Sequence, residues 1–131
     1  MTEGWHLLVL VARSPPLPYL GYLQREEIPY LVVGDEQVDL PDAMVALRSR
    51  LGVSTVVSTA GARLDGALLR AGLVDEIEIE VEVVPIAIGG TTAPMMLTAP
   101  DLAPTDQPVK LRLLDVTQHP DDRVLLRYAG A

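Results

Sequence analysis

The chain has no cysteine and no phenylalanine, one lysine (Lys110), one tryptophan (Trp5) and two histidines (His6 and His119). Each shortage narrows the chemistry. Without cysteine, neither disulfides nor thiolate metal sites are possible. With no cluster of Cys or His, a metal-dependent hydrolase is set aside. The single lysine falls in an exposed-looking late strand, which rules out most lysine-based chemistry. His6 opens an apolar run and His119 lies in a turn, so both read as ordinary structural positions. No apolar run approaches the length of a membrane span, and the start does not resemble a signal peptide. A soluble, cytoplasmic protein is expected, with no membrane partner. Positive charge is scarce too: 10 Lys and Arg against 18 Asp and Glu leave a net charge of -8. An acidic domain repels phosphate backbones, which disfavours nucleic acid as a partner.

The chain holds 131 residues, 49% of them hydrophobic and 4% aromatic. That suits a single domain over residues 1–131, with Val, Leu, Ile and Ala filling the core. The pattern punctuates itself regularly. "HLLVLVA" (6–12) reads as a strand buried on both faces. Pro15, Pro16 and Pro18 mark a loop or first helical turn, and a short helix to Glu26 or Glu27 follows. "PYLVV" (29–33) is a second strand. Asp39 caps the next helix, Pro41 suits its first turn, and Leu40, Ala43, Met44, Leu47 and Leu51 follow helical spacing to a stop at Gly52. "VSTVVS" (53–58) is a third strand, and a helix runs from Ala62 to Gly72. From Glu76 to Val83 acidic and apolar residues alternate strictly. This predicts a strand with one apolar face and one solvated face. "KLRLLDV" and "RVLLRY" across "TQHPDD" form a closing antiparallel hairpin. The expected fold class is α/β: a three-layer, mostly parallel sheet flanked by helices, with a C-terminal antiparallel hairpin.

Parallel strands would bring three corners to one carboxyl edge, where open α/β sheets bind ligands. At the first, Ser58, Thr59, Ala60 and Gly61 have no bulk to block an anion at the helix start. Arg63 could pair with a phosphate there. The same turn is equally readable as a purely structural connection. At the second, Arg13 and Ser14 are either solvated loop residues or partners for a further phosphate, such as the 2′-phosphate that separates NADP from NAD. The third, Gly34-Asp35-Glu36, is acidic and suits a ribose hydroxyl or adenine edge.

The stretch "VSTAGARLDGALLRAGLVDEIEIEVEVVPIAIGG" resembles the C-terminal part of the pyrimidine reductases of riboflavin biosynthesis, which have the dihydrofolate-reductase-like fold. The residues that carry the resemblance are Thr59-Ala60-Gly61, Leu64 to Glu76, Pro85 and Gly89-Gly90. "YLQREEIPYLVVGDEQVDLPDAMVALRSRLGV" and the closing hairpin look similar as well, so the likeness covers nearly the whole chain. It implies NADPH as cofactor, with the pyrophosphate on the Thr59-Ala60-Gly61 turn and the 2′-phosphate toward Arg13 and Ser14. The full cofactor-binding set expected is Arg13, Ser14, Gly34, Ser58, Thr59, Ala60, Gly61, Ala62, Arg63 and Leu64. Three departures stand out. Ala60 replaces a family glycine, and Thr59 stands where many members carry Glu. The family's front segment, with its "SLDG"-like motif, is absent from this sequence.

The resemblance therefore implies an NADPH-dependent reductase of a ribosylamino-pyrimidine phosphate, of the 5-amino-6-(5-phosphoribosylamino)uracil reductase type. Its small-molecule partner is the nucleotide substrate. A homodimer is expected, or a chain that supplies the strands of the missing segment, since an unfilled gap would leave strand edges unpaired. No residue stands out as acid, base or nucleophile. That favours the alternative, a non-catalytic nucleotide-binding or dimerisation module derived from the same fold. Hydride transfer asks little of the protein beyond positioning and a proton donor, so the two remain open.

Overall fold

The computed structural model describes residues 6–82, 97 and 103–130. They form two compact units, Met1–Val56 and Val57–Ala131.

In the first unit, β1 (Val9–Val11) leads through α1 (Leu17–Arg25) to β2 (Tyr30–Val32), and α2 (Leu40–Leu51) follows. The two strands pair in parallel, Val9 opposite Tyr30 and Val11 opposite Val32. The ladder continues past both strand ends: the Val33 amide donates to the Val11 carbonyl at 2.8 Å, and the Arg13 amide to the Gly34 carbonyl at 2.9 Å. Pro16 to Pro18 open α1 with a proline in its first turn, where the missing amide costs nothing. Asp39 caps α2 as expected, accepting from the Asp42 amide at 2.9 Å. Gly52 ends that helix in the left-handed conformation at φ 68°. Val33, Ala43 and Ala46 form the core between strand and helix, with Leu10, Leu31 and Val38 packed on them. The small side chains on α2 let it lie close to the sheet. β1 is only partly buried at Val9 and Leu10 and fully so at Val11, so it is not the strand covered on both faces that its composition predicts.

The second unit holds α3 (Ala62–Arg70), β3 (Glu76–Glu82), β4 (Arg112–Gln118) and β5 (Arg123–Ala129). The three strands form an antiparallel sheet in the order β3-β5-β4. The alternation in β3 carries the consequence expected of it, and the register supplies a detail the pattern alone does not. Glu78 lies opposite Arg127, and Glu82 opposite Arg123. The acidic row is thereby met by arginines of the central strand. Arg127 pairs with Glu76 at 2.9 Å and with Glu78 at 3.4 Å, and Arg123 joins Glu80 to Asp121. The hairpin is present, its turn closed by the His119 amide on the Arg123 carbonyl at 2.8 Å. Leu114 is the extra residue of a bulge between Leu113 and Asp115.

Two expectations are corrected. Val53–Ser58 is not a strand: residues 52–59 carry no regular structure except a bend beyond them at Ala60. Val56 and Val57 are 51% and 82% exposed. A β-branched run has the propensity for a strand but gains the conformation only from a neighbour's ladder, and among the described residues none is offered. The architecture is α/β, but not a mostly parallel three-layer sheet. It comprises a two-stranded parallel sheet and a three-stranded antiparallel one. The Pro85 and Gly89-Gly90 part of the sequence pattern lies outside the described residues.

Gly34 is a sensitive point of the first unit. It sits at φ 85°, and a Cβ there would come within 2.1 Å of the Gln37 carbonyl oxygen and 2.7 Å of the Asp39 amide nitrogen. Gly34→Ala is expected to lower stability by about 2–3 kcal/mol in urea unfolding followed by far-UV circular dichroism. A loss below about 0.5 kcal/mol would contradict this packing.

The arginine pairs give a pH prediction. The hydrogen bond from Arg123 holds the Asp121 carboxyl below the ordinary aspartate range. A carboxyl whose pKa is lower in the folded state contributes stability above its unfolded value and loses it as pH falls through the folded value. Both groups are exposed, so the effect is small and screened by salt. In thermal unfolding at low salt, the gap between wild type and Arg123→Ala is expected to be widest at neutral pH and to shrink as pH falls through and below the ordinary aspartate range. A gap independent of pH would assign the role of Arg123 to packing alone.

Candidate functional site

The ten residues expected to hold a cofactor fall into two groups. Arg13, Ser14 and Gly34 belong to the first unit, and Ser58 to Leu64 to the second. The first group is assembled by the parallel ladder. Because the Arg13 amide bonds the Gly34 carbonyl, the ends of β1 and β2 are tied side by side. This brings the Arg13 guanidinium to the Asp35 carboxylate, 3.2 Å away, with both side chains about four-fifths exposed (78% and 80%). Such a pair is weak in water and exchanges readily for a better anion. The corner thus presents one cation and one anion side by side, and Ser14 is exposed next to them.

The second group is a tight turn into α3. Ser58, Thr59, Ala60 and Gly61 are all exposed. Gly61 is the N-cap at φ 107°, ψ 170°, a backbone state that side chains other than glycine's rarely adopt. A Cβ at Gly61 would meet nothing within 4 Å, so the conformation, not crowding, requires glycine there. No side chain of the N-cap bonds the helix start. The amides of Ala62, Arg63 and Leu64 are first-turn donors, and the helix dipole adds positive potential where they point. Arg63 is exposed in this same turn.

One residue that the sequence reading passed over alters the site. Asp65, in the first turns of α3, folds its carboxylate back over the corner. Its Oδ2 accepts from the Gly61 amide at 3.3 Å. Its Oδ1 accepts a hydrogen bond from the Ser58 hydroxyl. The sequence signal was available: an acidic residue one helical turn beyond a small-residue corner, within reach of the N-cap amide. Small residues leave the turn open in bulk, but not to a charge that reaches it from the helix.

Other candidates stay apart. His6 is exposed and His119 half-buried in the hairpin turn. Among the described residues, no group of three or more His, Cys, Asp or Glu is placed to hold a metal ion. No described helix is long and apolar enough to cross a membrane.

The fold is shared with known proteins. The model of the RibD C-terminal domain family matches residues 9–125. The chain belongs to this family. Among solved structures, two forms of RibD from Acinetobacter baumannii are similar at 28% and 27% identity, with TM-scores of 0.67 and 0.65. In each case 94% of this chain is covered but 31% of the RibD chain, so the present sequence spans about a third of those proteins. A pyrimidine reductase-like protein from Corynebacterium diphtheriae shares the fold at 19% identity and TM-score 0.72, over 95% of this chain and 50% of its own. No curated protein matches the chain.

Proposed function

We propose that the chain is a reductase domain of the riboflavin-pathway type, which binds NADPH and acts on a ribosylamino-pyrimidine phosphate of the 5-amino-6-(5-phosphoribosylamino)uracil class. The observation that carries this reading is membership of the RibD C-terminal domain family over residues 9–125, a stretch that includes both corners. The groups at the corners suit the cofactor. The open first turn of α3 offers amides to a diphosphate. Arg63 offers a charge-assisted hydrogen bond to the same group. Arg13, paired with Asp35 in an exposed ion pair, suits the 2′-phosphate. The one group that opposes the fit is the Asp65 carboxylate.

When bound, NADPH supplies the hydride. In this reading the chain's own residues do the rest by binding and orientation: the Gly61 corner fixes the diphosphate, and Arg13 selects the phosphorylated ribose. A partner belongs to the proposal as well, either a second copy or a chain that supplies strands. The unladdered Val53–Ser58 segment supports it, because that segment has the composition of a strand and lacks one beside it among the described residues. The runner-up, a nucleotide-binding module without turnover, is favoured by one observation: among the described residues, neither histidine nor the lysine is brought to either corner, and Asp35 and Asp65 are already paired.

Titration with NADPH and NADH, followed by nicotinamide fluorescence, tests the reading. NADPH is expected to saturate. Arg13→Ala is expected to weaken NADPH by about tenfold and to leave NADH nearly unchanged. No saturable change at about millimolar NADPH, with Arg13→Ala indistinguishable from wild type, would remove the cofactor site. Binding without oxidation when the pyrimidine substrate is added would select the module over the reductase.

A further inference from the structure

We infer that the Asp65 carboxylate is a built-in competitor for the Ser58–Gly61 corner, so that a diphosphate settles there only when Asp65 swings out. This rests on the reading of that corner as the cofactor's diphosphate seat. Asp65 spends one oxygen on the Gly61 amide and the other on the Ser58 hydroxyl, the donors on the two limbs of the turn. It holds the place an entering anion would take, with the charge an entering anion would carry. The helix dipole that would attract a phosphate already attracts this carboxylate.

The two bonds of Asp65 differ: the Ser58 hydroxyl gives a charge-assisted bond to the carboxylate, the Gly61 amide a longer one. At 3.3 Å the bond from the Gly61 amide is at the long, weak end of its class. The Asp65 backbone is held separately, its amide on the Gly61 carbonyl at 3.1 Å. Rotation about χ1 therefore clears the corner without unwinding the helix. With Asp65 in, the Gly61 amide and the Ser58 hydroxyl are taken and a negative charge stands at the corner. With Asp65 out, the Gly61 amide and the Ser58 hydroxyl join the first-turn amides as donors. A phosphate that enters while Asp65 stays meets a like charge across a few ångströms, which is strongly unfavourable wherever water is thin.

Asp65→Asn separates the charge from the geometry. Its amide oxygen can accept from Gly61 and its NH2 can donate to the Ser58 hydroxyl, so the turn keeps its bonds while the charge goes. Titrate wild type and Asp65→Asn with NADPH, and separately with inorganic pyrophosphate, at fixed low salt. The expected result is tighter binding of both to Asp65→Asn, by about fivefold to tenfold. If wild type binds and Asp65→Asn binds equally or more weakly, Asp65 is only a cap and the competitor is excluded while the seat survives. If neither protein binds either probe, the seat itself is wrong and the competitor falls with it. Should Asp65→Asn not fold, wild type answers alone by NMR. On pyrophosphate addition, the Gly61 amide and the Asp65 side-chain carboxyl carbon should shift along one saturation curve. A Gly61 shift with the Asp65 carboxyl unmoved would overturn the proposal.

Discussion

A β-strand is held by its neighbours, and that requirement governs where this chain has structure. Its backbone amides and carbonyls must find partners, and a strand-like sequence alone provides none. Val9–Val11 and Tyr30–Val32 find each other across α1. Glu76–Glu82, Arg112–Gln118 and Arg123–Ala129 satisfy one another through an antiparallel ladder centred on β5. Val53–Ser58, between these two sets in sequence, has no such ladder among the described residues, and Val56 and Val57 are exposed. The domain is thereby divided into a parallel pair and an antiparallel triplet.

A second regularity runs through both units. The chain is strongly acidic, with a net charge of -8, and three of its arginines and the Gly61 corner are met by carboxylates of its own. Arg13 has Asp35, and the Gly61 corner has Asp65. Arg123 has Glu80 and Asp121, and Arg127 has Glu76 and Glu78. In β5 these pairs knit the sheet. At the two corners they stand where the proposed phosphate groups would sit. In the proposed binding mode a phosphate would compete with an internal carboxylate at each, and its advantage would come from greater charge and from several bonds formed together.

The local signals in the sequence were reliable where one residue decides the outcome. Asp39, Pro41 and Gly52 bound α2 because capping and helix stops are set within a few residues. The hairpin was legible for the same reason, since its turn and both strands are contiguous. What stayed hidden depends on distance along the chain. The register that sets Arg127 against Glu78 spans 49 residues, and no pattern in either strand announces it. Val53–Ser58 misled because strand propensity says nothing about whether a neighbour exists. Asp65 is different: it is only four residues from Gly61, and the small size of the corner residues says nothing about a charge that folds back onto them.

Amide hydrogen exchange tests the division of the chain most directly. Residues 54–58 are expected to exchange at nearly unprotected rates while β5, hydrogen-bonded on both sides, is the slowest strand to exchange. Protection across 54–58 comparable to that of β5 would mean that the segment is a laddered strand after all, and would contradict the account of two separate sheets.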